Sequence, residues 1–291
     1  MFSLVTVNRN RLANLLQVLP SWLEIADVSE IVVVDFGSFP PIARVGVLAH
    51  KKIKLVTVEQ TDGWRIGLAI NIGVDHATSN RILKLDSDII LMPGQSLRHL
   101  DLNRNFFRGD VELGVSNGQT AFRKQDWLKI GGYNEWLSGY GFDDTDFYQR
   151  LCATGLRPQL MPSDLLMEIP QDRDPIDQSD LAPSVARKLG EPVPEKDFSD
   201  AKNLFLAYMA PWTRRMRNTY TPLKSGKDTR AVCLAPWPRE YYRLEGLAHH
   251  LALVQSFGTD AQRQLGAELV TRFLNEAGGF SIRDWENLSK R

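Results

Sequence analysis

The chain holds only two cysteines in 291 residues, Cys152 and Cys233; they have no metal-type spacing, and two thiols make no disulfide framework. A reducing, cytoplasmic setting is the expectation. Charge of either sign is not in excess: lysine plus arginine and aspartate plus glutamate number 35 each, so no global field draws the chain to nucleic acid or anionic lipid. Partners have to be read from local sites. Long apolar runs are missing too. None approaches the roughly 18 residues of a membrane span, and the N-terminal MFSLVTVNRNR has too short an apolar stretch for a signal peptide and reads as a first strand. There is no internal repeat, no low-complexity tract, and no histidine between His99 and His249. What remains, with 43% hydrophobic residues, can bury a substantial core in one large domain or a domain plus an extension.

The first half alternates strand-like and helix-like segments, the pattern of an α/β domain with a mostly parallel sheet. Phe2–Val7, Ile31–Val34, Ile53–Val58 and Arg81–Leu85 read as strands; Arg11–Leu23 reads as a helix on Leu12, Leu15, Leu16, Leu19 and Trp22, and Ile66–Ala77 as a second helix. Polar residues fall at the carboxyl ends of the strands, where ligands of open α/β sheets bind, so Asn8, Asp35, Asp86 and Asp88 can converge on one small molecule. From Asp101 to Arg123 the pattern turns antiparallel, with Val111–Val115 and Thr120–Phe122 around an Asn117-Gly118 turn, which predicts a mixed sheet. A glycine-aromatic loop containing Tyr133, Trp136, Tyr140 and Gly141 leads to a helix capped by Asp144 or Thr145 and stopped at Gly155.

Two acidic strings carry the chemistry. In Asp86-Ser87-Asp88, alternate residues of an extended chain aim two carboxylates at one locus, and hard oxygen ligands suit Mg²⁺ or Mn²⁺ shared with substrate phosphates. Such a clamp would neutralise a departing nucleotide diphosphate. In Asp143-Asp144-Thr145-Asp146, Asp144 is the candidate general base for an acceptor hydroxyl; the plainer reading is that these acids cap a helix and complement its dipole. Trp136 and Tyr140 offer flat apolar faces for a sugar ring.

The run GGYNEWLSGYGFDDTDFYQRL resembles the acceptor and base segment of inverting GT-A glycosyltransferases, especially the galactosyltransferase C-terminal region and bacterial family 2 polymerase-type enzymes. FSLVTVNRNR, IVVVDFGS, GWRIGLAINIGVDHA and LKLDSDIIL are similar, in order, to the nucleotide-binding half of that fold, and the resemblance covers roughly residues 2–170. It implies that Asp35 contacts uracil or ribose, that Arg65 and Asn71 lie near the nucleotide, that Asp88 is the main metal-binding carboxylate with Asp86 beside it, and that Asp144 is the base. Asp143 stands where the family often has glutamate and would hold the acceptor sugar, with Trp136 or Tyr140 stacked on it and Gly141 in the same loop. The family's further metal-binding histidine has no counterpart, so either Glu168, Gln171 or Asp172 substitutes for it or the metal is held more weakly.

The expected architecture is therefore an α/β, GT-A type nucleotide-binding fold with a mixed, mostly parallel central sheet over residues 1–170, its nucleotide half 1–100 and its acceptor half 101–170. Residues 171–291 are expected to form a mostly helical C-terminal extension, with helices near Asp200–Arg217, Arg239–Phe257 and Asp260–Ala277 after a proline-rich excursion. Trp212 beside Arg214, Arg215 and Arg217 reads first as a packed helix with a solvated basic end and second as a peripheral membrane contact. His249-His250 reads as partly buried and structural, and Cys152 as a small core residue. The leading function is an inverting transfer from a nucleotide-diphosphate sugar, UDP-linked, to a glycan or glycoconjugate; the rivals are a non-catalytic nucleotide- or glycan-binding subunit and a nucleotidyltransferase. A missing glycine-rich phosphate loop after the first strand speaks against the last.

Overall fold

The computed structural model describes residues 1–59, 61, 63–109, 118–169, 195–223 and 229–257. The chain forms two compact units. The first comprises Met1–Glu135, Asp144–Asp174 and Thr213–Pro236; the second comprises Trp136–Asp143, Pro175–Trp212 and Trp237–Arg291.

The first unit is built on β1 (Phe2–Asn8), β2 (Val28–Phe36) and β3 (Ile53–Glu59), runs rich in β-branched residues; β1 and β2 are buried along nearly their whole length, as strands covered on both faces must be, and β3 buries Ile53, Leu55, Val56 and Val58. With β4 (Arg81–Lys84), β6 (Asn105–Arg108), β7 (Thr120–Arg123), β8 (Arg157–Leu160), β10 (Tyr220–Leu223) and β11 (Thr229–Leu234) they make a sheet in the order β10-β11-β3-β2-β1-β4-β7-β6-β8. Only β10 and β7 run against the other strands, so the sheet is mixed and mostly parallel, as expected. Because the chain moves from β1 out to β3 and returns on the other side as β4, strand order reverses at β1, and the carboxyl ends of β1 and β4 flank the crevice position where open α/β sheets bind ligands.

Helix α1 (Leu12–Glu24) buries Leu15, Val18, Leu19 and Trp22, a face of 3.6-residue period, while Leu12 and Leu16 of the expected stripe stay exposed. The Trp22 indole donates to the Ile89 carbonyl at 2.8 Å, and Leu91 N donates to Ser21 Oγ at 3.2 Å. Those bonds tie α1 to β5 (Ile89–Leu91), the strand that follows the acidic Asp86–Asp88 turn. In turn β5 pairs antiparallel with β9 (Leu166–Glu168).

Helix α2 (Ile66–His76) carries a polar junction on its outer end. Arg217 reaches Asp75 at 2.6 Å and Glu135 at 3.3 Å, and its guanidinium lies 4.6 Å from the Trp127 ring centre in α3 (Lys124–Ile130). Burial pushes the Glu135 carboxyl up to about 7, against the pull of Arg217 and the Asn218 amide. Removing one partner of a buried ion pair strands the other, so Arg217→Ala is expected to lower unfolding free energy by about 3–5 kcal/mol. Urea denaturation checks this, and a loss below about 1 kcal/mol, the range of an exposed pair, would show that the junction holds nothing together.

Strands β10 and β11 were not read from the sequence. They are short, their joining residues 224–228 lie outside the described set, and Pro222 sits in the edge strand β10, where a missing amide does least harm. Val111–Val115 and Asn117 of the expected turn also lie outside the described residues, as do Asp260–Ala277 and most of the proline-rich excursion.

In the second unit, α5 (Glu195–Met209) and α6 (Arg239–Phe257) pack together, and Phe205, Leu206, Tyr241 and Leu244 on them are buried. Helix α5 stops well before Arg217 because Pro211 follows Ala210 and cannot continue a helical hydrogen-bond ladder. Trp212 is buried and Arg217 is spent on Asp75 and Glu135, leaving exposed Arg214 and Arg215 as the basic end of this stretch. His249 is half-buried, edge-on to Phe198 at 5.0 Å. No helix among the described residues is long and apolar enough to cross a membrane.

Candidate active site

The acidic turn after β4 is organised by a residue that the sequence analysis passed over. Lys84, 2% exposed, stands two residues before Asp86, so both side chains leave the extended chain on the same side. Its ammonium donates to Asp86 Oδ1 and to the Gly118 carbonyl, both at 2.8 Å. Gln119 completes the arrangement: its Nε2 donates to Asp86 Oδ2 at 2.7 Å, and its Oε1 accepts from Asp86 N at 2.8 Å. Burial alone would raise the Asp86 carboxyl, but Lys84 and Gln119 outweigh it and hold the group below its usual range. The signal was present in the sequence as a lysine inside an apolar strand, ILKLD.

Asp88 has the opposite electrostatics. It is buried, and desolvation, reinforced by the charges of Asp86 and Glu168, pushes its carboxyl up to about 6, with Arg11 at 3.7 Å only partly offsetting them. The β5–β9 register places Glu168 opposite Ile89, and Ile169 N donates to the Asp88 carbonyl at 2.9 Å.

Asp144 joins this group from α4 (Asp143–Ala153). A methyl group added at Gly118 would lie 3.1 Å from Asp144 Oδ2, 3.1 Å from Asp86 Oδ2 and 3.0 Å from Lys84 Nζ, so two carboxylates and an ammonium converge around one glycine. Asp144 Oδ1 is buried with no hydrogen-bond partner among the described residues. Burial raises the proton affinity of Asp144, Lys84 opposes, and Asp86 adds to the rise. Asp146 differs in kind: it binds Arg150 within the helix, and Arg150 donates to the Ile130 and Gly132 carbonyls at 3.0 and 2.6 Å. Of the three acids, then, Asp146 is structural and Asp144 faces the crevice residues. The helix begins at Asp143 rather than after an Asp144 or Thr145 cap, because Phe142 takes φ 65° immediately before it. Cys152, expected in the core, is exposed on the outer side of α4.

At the other side of the crevice, Asn8 and Asp35 are register partners at the ends of β1 and β2. Asn8 is 1% exposed, and neither its Nδ2 nor its Oδ1 has a partner among the described residues, an unusual state for a buried amide. Asp35 instead shapes the wall: its carboxylate accepts from Ser38 N at 3.3 Å and Ile42 N at 2.7 Å.

Two family models match successive parts of the chain, "Glycosyl transferase family 2" over residues 3–105 and "N-terminal domain of galactosyltransferase" over residues 99–171. No curated protein matches it. Among solved structures, a mutant of Drosophila β1,4-galactosyltransferase 7 in complex with manganese, UDP-Gal and xylobiose aligns with a TM-score of 0.52 at 12% identity, over 84% of this chain and 98% of that one. The catalytic domain of the same Drosophila enzyme with xylobiose aligns with a TM-score of 0.51 at 15% identity and the same coverage. The chain is a glycosyltransferase of the GT-A fold.

Within this glycosyltransferase some residues implied by resemblance take other work. Asn71 spends all its hydrogen-bonding capacity internally: Nδ2 donates to the Tyr133 carbonyl and Glu135 Oε1, and Oδ1 accepts from Trp127 Nε1 and Tyr133 N. It fastens α2 to the segment leading into the aromatic loop and has nothing left for a nucleotide. Arg65, also buried, donates to the Glu135 carbonyl at 3.5 Å and supports the same segment. The aromatic loop itself, with Trp136, Tyr140, Gly141 and Asp143, belongs to the second unit. There Trp136 is 4% exposed and edge-on to Tyr241 at 5.7 Å, so its face is closed to a sugar; Tyr140, 49% exposed, is the open one.

The donor set suits a hard divalent cation without enclosing one. Among the described residues no group of three or more acidic, histidine or cysteine side chains is placed to hold an ion. A pair such as Asp88 with Asp86 is nonetheless enough for such an ion when substrate phosphates and water supply the remainder. Burial first, and then the repulsion of Asp86 and Glu168, lifts Asp88 to about 6, and a cation would relieve that repulsion. Gln171 and Asp172 lie outside the described residues, and Glu168 is the acid whose charge reaches Asp88.

Proposed function

We propose that this glycosyltransferase moves a sugar from a UDP-linked donor to a hydroxyl of a glycan or glycoconjugate with inversion. The observation that carries the reading is Asp144: a carboxylate with one buried oxygen that has no hydrogen-bond partner among the described residues, of raised proton affinity, gathered with Asp86 and Lys84 around Gly118. In the proposed step the acceptor oxygen attacks the anomeric carbon, its proton passes to Asp144, and the bond to the diphosphate oxygen breaks with the electron pair leaving on the diphosphate. Asn8, whose donor and acceptor atoms are both unused among the described residues, would pair with the nucleotide, and Asp35 holds the loop beside it. Asp88, with Asp86, would hold a divalent cation, which when bound neutralises charge on the leaving diphosphate. Lys84 keeps Asp86 ionised and oriented for that task. Tyr140 would carry the acceptor ring, next in the loop to Gly141 and close in sequence to Asp143.

The Drosophila enzyme's manganese, UDP-Gal and xylobiose support the choice of Mn²⁺, of a UDP-sugar and of a glycan acceptor. A cytoplasmic place in surface polysaccharide synthesis belongs to the same proposal. Calorimetric titration of UDP and then GDP, with Mn²⁺ and with chelator, tests it. Chelator-sensitive UDP binding is expected, whereas failure to bind either nucleotide would leave the non-catalytic reading in its place.

A further inference from the structure

We infer that α5 belongs to the acceptor apparatus: Ser199, Lys202 and Asn203 are positioning residues that fix the backbone of the Trp136–Asp143 loop and so hold Tyr140 out as a sugar platform. The inference rests on the transferase reading and concerns the second unit alone.

The three residues sit at i, i+3 and i+4, one face of α5, and each is at most 8% exposed. A helix used only for packing would bury apolar side chains at such positions. Here the buried face is polar, and its polar atoms are matched to the loop's main chain. Tyr140 N donates to Ser199 Oγ at 2.8 Å, and Ser138 N donates to Asn203 Oδ1 at 3.2 Å. Asn203 Nδ2 donates to the carbonyls of Gly141 at 2.9 Å and Tyr140 at 3.3 Å. Lys202 Nζ donates to Ser138 Oγ at 2.8 Å and to its carbonyl at 3.2 Å. Amides and carbonyls on both sides of Tyr140 are thereby satisfied by one helix, while the aromatic ring stays exposed.

The glycines agree with this fit. Gly139 and Gly141 have φ of 78° and 91°, and a Cβ on them would fall 2.6 Å from Ser199 Oγ and 2.3 Å from Asp200 Oδ1. The loop therefore lies as close to α5 as a main chain without side chains can. Such an arrangement fixes the direction of Tyr140 with little freedom to move, which is how a weakly held sugar ring gains orientation.

The test compares Asn203→Ala, Ser199→Ala and Tyr140→Ala in the full chain, with UDP-galactose as donor and xylobiose as acceptor probe. Asn203→Ala is expected to raise the acceptor KM about tenfold, the effect of one or two lost hydrogen bonds, with a smaller change in kcat and with Mn²⁺-dependent UDP affinity retained. Because Asn203 acts through Tyr140, the double variant should be no worse than Tyr140→Ala, whereas independent sites would add. Hydrogen exchange over 136–143 should quicken in Asn203→Ala and Ser199→Ala, and this measurement decides the matter if xylobiose does not serve as acceptor. Unchanged exchange, an unchanged acceptor KM or additive effects would overturn the inference. Absence of nucleotide binding in the unaltered protein would instead remove the transferase reading beneath it.

Discussion

Asp144→Asn is expected to lower kcat for sugar transfer by about three orders of magnitude, within the range that a positioned general base supplies. The substitution keeps the shape of the side chain and removes only its ability to take a proton. It should leave the site assembled, because the ammonium of Lys84 retains Asp86 Oδ1 and the Gly118 carbonyl as partners when Asp144 loses its charge. UDP affinity with Mn²⁺ is accordingly expected to stay within about twofold, far below the tenfold that one lost strong contact would produce. A pH profile gives a second readout. Burial raises the Asp144 pKa above the ordinary 3.8, so the acid limb of kcat, where the base becomes protonated and rate falls, lies higher than for an exposed aspartate. In Asp144→Asn that limb disappears from the residual rate. Wild-type turnover in the variant would move the base elsewhere, with neighbouring Asp143 the first to examine.

Asp88→Ala is expected to act on the opposite step. Loss of the principal carboxylate should weaken Mn²⁺-dependent UDP binding by about 10–100-fold, leaving an affinity that chelator no longer changes. Asp86→Ala is a poorer test, since it would strand the buried Lys84 ammonium and confound affinity with folding. Asp88 also sets a pH signature. With its carboxyl near 6, protons compete for it below that value, so the Mn²⁺-dependent part of UDP binding should fade as pH drops through about 6; an unperturbed aspartate would hold it to nearly 4. Stability in the absence of metal runs the other way. A carboxyl whose folded pKa is raised takes up a proton in the folded chain first, so its contribution to folding grows as pH falls from above 6 toward 4. Equal affinity for UDP in Asp88→Ala and wild type, with Mn²⁺ present, would end the assignment.

The parallel strands and the acidic turn were legible because burial on both faces writes itself as apolar runs, and because strand-end polar residues mark the crevice in any α/β sheet. Asn8 and Asp86 at their strand ends were readable on those grounds. What stayed hidden depends on pairing across long sequence separations. Nothing local to Asn71 tells that Trp127 and Tyr133 exhaust its amide, and nothing local to Trp136 tells that Tyr241 covers it. The role of Lys84 becomes visible only once Gly118 and Asp144 are brought beside it. The edge strand β10 and its neighbour β11 escaped because strands so short, one of them interrupted by Pro222, carry too few alternations to announce a period.

The return of residues 213–236 to the sheet, where β11 pairs with β3, gives the chain an order with consequences for how such enzymes diversify. In chain order the segment 175–212 falls between two stretches that both belong to the first unit. On the proposed division of labour, it is a cassette: substitutions, insertions or wholesale exchange within it can remodel what receives the sugar, while inheritance of the flanking strands preserves what donates it.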